Sequence, residues 1–151
     1  RRLMFTLAID PGGSTTKASI GYAFFDEEGM LMGKGVFTKK ELYAHLENLP
    51  ALVALSGWQV VVENFVNNEK SRGGQTNGTS EIIGAVEFAC HLNSVPLYRQ
   101  SPRILSVAKI QNQYKLPINP RTKQPVKHLP DEDSAMLHGL YFLKAKKLGK
   151  I

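Results

Sequence analysis

Two apolar runs of strand length, Leu3–Ile9 (LMFTLAI) and Trp58–Val62 (WQVVV), each end directly on an acidic residue, Asp10 and Glu63. A near-continuous apolar run of this length is the pattern of a strand buried on both faces, and such strands occur where helices cover both sides of a sheet. An acid at the end of each run is therefore carried by a rigid core element.

The intervening sequence sets the order of elements. After the break at Pro11-Gly12-Gly13, Thr16–Phe25 reads as a second strand. Asp26-Glu27-Glu28-Gly29 is a turn, and Met30–Phe37 returns as a third strand. Lys39–Leu49 has helical spacing at Leu42, Leu46 and Leu49. Asn67–Ser80 (NNEKSRGGQTNGTS) is polar and glycine-rich and reads as a mobile loop, with Ser80 capping a helix that runs to Leu92. Val95–Tyr98 reads as a short strand, a helix starts near Pro102, and Pro117–Pro130 is a basic loop punctuated by prolines. Pro130 followed by Asp131-Glu132-Asp133 opens a helix through Leu148, with acids in its first turn and lysines in its last, as the helix dipole favours. The order β-β-β-α-β-α-β-α requires a mixed five-stranded sheet, a three-stranded antiparallel meander plus two parallel strands, with helices on both faces. That is the topology of the ribonuclease-H-like fold. Residues 1–151 are expected to form one such domain.

Charge points to the partner. The net charge is +6, and no acid occurs between Glu87 and Asp131, where Arg99, Arg103, Lys109, Lys115, Arg121, Lys123 and Lys127 fall. One surface should be strongly positive and suited to the phosphates of a nucleic acid, with pronounced salt dependence. No stretch approaches the roughly 20 apolar residues of a membrane span. The single cysteine, Cys90, sits among apolar neighbours and reads as a buried, reduced thiol, which fits a cytoplasmic setting.

The first and fourth strands of such a sheet are neighbours, so their ends can bring Asp10 and Glu63 together, and the last helix can add Asp131. Three converging carboxylates repel one another unless a cation neutralises them. An all-oxygen set selects Mg²⁺ or Mn²⁺ over zinc. Two such ions can promote hydrolysis of a phosphodiester.

Leu7-Ala8-Ile9-Asp10-Pro11-Gly12, Val61-Val62-Glu63-Asn64 and Asp131-Glu132-Asp133-Ser134-Ala135, taken in order, resemble the RuvC family of Holliday junction resolvases, particularly its phage-type members. The resemblance implies a homodimeric, Mg²⁺-dependent endonuclease of a bacterial or phage-infected cell. Such an enzyme nicks a four-way DNA junction symmetrically by two-metal hydrolysis and leaves 5′-phosphate ends. It implies that Asp10, Glu63 and Asp131 hold metal. The family usually has a fourth acid where this chain has Ser134, so Asp133, by a small shift of the helix, or His138, two turns on from Asp131, is the candidate replacement. Phe65 resembles the family's aromatic that stacks on a displaced base, with core packing as its alternative role. Lys70, Arg72, Gly73, Gly74 and Gly78 fall in the loop expected to face DNA, and Arg99, Arg103 and Lys109 are candidate phosphate contacts.

Other readings use the same residues. Asp10–Ala18 (DPGGSTTKA) also resembles the first phosphate-binding loop of the actin-like ATPases, but those proteins close two such domains around a nucleotide. A catalytically inactive nucleic-acid-binding domain of the same fold, or a nuclease for single-stranded DNA or RNA, would carry the same charge pattern.

Overall fold

The first apolar run forms β1 (Phe5–Asp10). The turn after β2 (Ile20–Phe25) folds the chain back into β3 (Leu31–Phe37). Gly29 supplies the left-handed residue of that turn at φ +85°, and the Asp26 carboxylate accepts the amides of Glu28 and Met30, each at 2.9 Å. The computed structural model describes residues 4–12, 19–64 and 73–151. The remaining elements are α1 (Lys39–Glu47), α2 (Leu49–Leu55), β4 (Trp58–Glu63), α3 (Gly73–Leu92), β5 (Leu97–Gln100), α4 (Ile104–Gln111) and α5 (Asp131–Lys147).

Among the described residues the strands form one sheet in the order β3-β2-β1-β4-β5. β1 pairs antiparallel with β2, which pairs antiparallel with β3, while β4 lies parallel to both β1 and β5. This is the mixed sheet that the sequence predicts.

Side chains alternate across each strand, so the sheet has two distinct faces. Ile9, Ile20, Val60 and Val62 pack on one face with Leu42, Leu49, Ile82, Ile83, Val86 and Cys90 from α1, α2 and α3. On the other face Ala8, Ala23, Phe25 and Val61 pack with Ala135 and Phe142 of α5. Asp10 and Glu63 each fall two residues past an α5-facing position, Ala8 and Val61. Strand periodicity alone thus turns both acids toward α5. Two glycines let that helix approach: a Cβ on Gly139 would lie 2.1 Å from the Phe25 ring, and one on Gly21 would lie 2.0 Å from the Asp131 carbonyl oxygen.

Three expectations about elements are corrected. The helix expected to run from Lys39 to Leu49 breaks at Asn48, and a second short helix follows with Pro50 in its first turn. The glycine-rich stretch expected as a loop is already helical from Gly73, where the buried Thr79 donates its hydroxyl to the Gly12 carbonyl at 2.8 Å. The last strand lies at Leu97–Gln100 rather than Val95–Tyr98. Pairing with β4 runs from Val60↔Leu97 to Glu63↔Gln100, whereas Val95 packs into the α3-side core. No helix among the described residues is long and apolar enough to cross a membrane.

Candidate active site

The β1–β4 ladder ends at Ile9↔Val62, one residue short of Asp10 and Glu63, so the two acids leave adjacent strands at the same end of the sheet. Asp10 is 7% exposed, and the Gly12 amide donates to its Oδ1 at 2.9 Å. Its pKa is pushed up to about 6, chiefly by burial, then by the charge of Glu63, with Asp131 adding to the rise. The Gly12 amide and the Ser134 hydroxyl partly offset it. Ser134 acts by proximity, because its buried Oγ completes no well-aligned hydrogen bond. These influences place Asp10, Glu63, Asp131 and Ser134 in one neighbourhood.

α5 supplies the roof of this neighbourhood. At 3.6 residues per turn, Asp131, Ser134, Ala135, His138 and Phe142 share one stripe. Asp131 accepts the Ser19 hydroxyl on Oδ2 at 2.8 Å. His138 is fully buried, and its Nε2 lies 2.7 Å from Glu63 Oε2. Gln100, the register partner of Glu63, reaches His138 from beneath.

Asp133, one of the two candidates for the fourth position, lies off this stripe. It stands one residue, or 100°, round the helix from Ser134. Lys34 of β3 pairs with its Oδ1, and the Tyr114 hydroxyl donates to its Oδ2. Both carboxylate oxygens are engaged in bracing α5 against β3 and the segment after α4. Burial and the Asp133 carboxylate also push the Tyr114 hydroxyl pKa upward, so it stays a donor.

Among the expected phosphate contacts, Arg99 pairs with Glu87 and donates to Asn64 Oδ1 at 3.3 Å. Arg103 is exposed three residues beyond Gln100, at the same end of the sheet, while Lys109 is half-buried in the last turn of α4. Phe65, Lys70 and Arg72 lie outside the described residues, as does most of the ATPase-like loop, residues 13–18. Sequence reasoning missed Ser19, Gly21 and Gln100. The signal for Gln100 was a polar residue closing a strand, as in Asp10 and Glu63, obscured by the misplaced strand.

The donor set suits a hard divalent cation: three carboxylates with no sulfur, one of them buried and disfavoured as an anion by the other two. Among the described residues, no three His, Cys, Asp or Glu side chains already stand at ligand spacing. Two of the three acids are instead held by neighbours, Ser19 and His138.

The arrangement can be compared with solved structures. RuvC from Thermus thermophilus in complex with a Holliday junction substrate superposes with a TM-score of 0.62 at 14% identity, over 97% of each chain. A second T. thermophilus RuvC structure gives 0.60 at 17% identity, over 97% of this chain and 98% of the other. The fold is RuvC-like. No protein-family model and no curated relative matches the chain. In the RuvC-like frame, Asp10, Glu63 and Asp131 share the α5 face at one end of the central strands.

Proposed function

We propose that this chain is a divalent-cation-dependent endonuclease that cuts branched DNA, with the four-way junction as its preferred substrate. The observation that carries this reading is the convergence of Asp10, Glu63 and Asp131 at one end of a RuvC-like sheet, with mutual repulsion felt at Asp10. RuvC of T. thermophilus, which shares the fold, is a protein seen bound to a Holliday junction. The chain's net charge of +6 and its acid-free segment from residue 88 to 130 suit a phosphate backbone.

Asp10, Glu63 and Asp131 would hold Mg²⁺ or Mn²⁺, which would neutralise charge on the scissile phosphate and acidify the attacking water. Asp10, buried and within reach of the charge of both other acids, would be the central member of that set. Ser19 fixes Asp131, and His138 fixes Glu63. The products are a 5′-phosphate and a 3′-hydroxyl. Two matched nicks across a junction call for a two-fold pair of chains, so the active form is a homodimer.

The test is a labelled four-way junction and a matched duplex, each with and without Mg²⁺. The wild-type chain should nick the junction only with the cation. Asp10→Asn should bind the junction and leave it intact. Mg²⁺-dependent cutting retained by that variant would falsify the assignment, as would wild-type failure on junction, single-stranded and hybrid substrates alike.

A further inference from the structure

Glu63 and Gln100 are partners on adjacent parallel strands, so their side chains leave the same face of the sheet, and His138 of α5 lies over both. Gln100 Nε2 is 2.9 Å from the His138 carbonyl oxygen and 2.9 Å from its Nδ1. A carbonyl oxygen only accepts, so Gln100 must present its NH₂ end there. The same NH₂ group then faces Nδ1 and leaves that nitrogen the acceptor. The ring proton sits on Nε2, 2.7 Å from Glu63 Oε2, and is donated to it. His138 is 0% exposed and Gln100 is 8% exposed, so water has little access to scramble the arrangement.

We infer that His138 is a positioning residue: with its tautomer set by Gln100, it pins one oxygen of Glu63 and leaves the other turned to Asp10 and the cation. This deepens the nuclease reading and rests on it for the cleavage measurement alone. Lys34 and Tyr114 engage Asp133, so among the described residues the proposed set is Asp10, Glu63 and Asp131, and the orientation of each bears directly on cation affinity. A buried donor behind a ligating carboxylate is the kind of outer contact whose loss weakens metal binding by about 10–100-fold.

Three variants test this. His138→Leu removes the donor at similar volume, His138→Gln can return an N–H near the position of ring Nε2, and Gln100→Leu removes the group that sets the tautomer. The first measurement is the ¹⁵N ring spectrum of the metal-free protein. The wild type should show the Nε2–H tautomer, and a wild-type ring that carries a proton on Nδ1 overturns the inference. The second is Mn²⁺ affinity by calorimetry without DNA. His138→Leu should bind about 10–100-fold more weakly and His138→Gln within a few-fold of wild type. A folded His138→Leu that binds Mn²⁺ as tightly as wild type overturns the inference, as does a folded His138→Gln no better than His138→Leu. On the junction, His138→Leu should lower kcat and leave KM unchanged. If His138→Leu does not fold, Gln100→Leu carries the affinity test, and wild-type affinity in it overturns the inference. A wild-type chain that cuts no junction yet gives the expected ring spectrum and Mn²⁺ series refutes the nuclease reading and supports the positioning role.

Discussion

Removing the charge of Asp10 should stabilise the metal-free protein. The rise in pKa from 3.8 to about 6, at about 1.36 kcal/mol per unit, amounts to about 3 kcal/mol of native-state penalty on the ionised form. Between these two values the folded chain keeps a proton that the unfolded chain has lost, so stability falls as pH rises through the window. The full penalty applies above pH 6 and vanishes below about pH 4. Asn carries no charge, and its Oδ1 can still accept the Gly12 amide bond seen at 2.9 Å. In urea unfolding with EDTA, Asp10→Asn should therefore exceed wild type by up to about 3 kcal/mol at pH 7.5, a midpoint shift of about 1–2 M. The two proteins should converge at pH 4. Saturating Mg²⁺ should narrow or reverse the gap at pH 7.5, since a ligand at 100 times its Kd adds about 2.7 kcal/mol to the protein that binds it. A variant no more stable than wild type at pH 7.5, or a gain that persists unchanged at pH 4, would refute the electrostatic origin.

Gly21→Ala sets a methyl group against the Asp131 backbone inside a packed interface, so we expect a loss of at least about 1–3 kcal/mol and a displaced first turn of α5. Thermal unfolding and junction cleavage check it, and full activity at wild-type stability would contradict the close packing. Asp133→Asn should cost about 1–3 kcal/mol by weakening its bonds from Lys34 and Tyr114, while Mn²⁺ affinity in calorimetry stays near wild type. The Cys90 thiol is pushed up to about 11 by burial, so alkylation by iodoacetamide at pH 7.5 should be slow in the native protein and fast only in denaturant.

The sheet and the pair of strand-end acids were legible because both depend on neighbours in sequence. An uninterrupted apolar run marks a buried strand, and alternation fixes which way the next residue turns, so Asp10 and Glu63 could be placed side by side from the chain order alone. The stripe of α5 was legible for the same reason: Asp131 and His138 are seven residues apart, close to two full turns. Local sequence could not reveal which residues that stripe meets. The glycine-rich start of α3 is a poor helix by propensity, and a tertiary bond from Thr79 to the Gly12 carbonyl helps hold it. β5 took its register from β4, which moved it two residues and brought Gln100 beneath His138. The rotation of α5 about its axis was decided where Gly21 and Gly139 admit its backbone, and that rotation sent Ser134 to Asp10, His138 to Glu63 and Asp133 to Lys34. Periodicity gives the angles between side chains on one helix. Only contacts between distant segments fix where that set of angles points, because the packing energy that selects the rotation belongs to both surfaces at once.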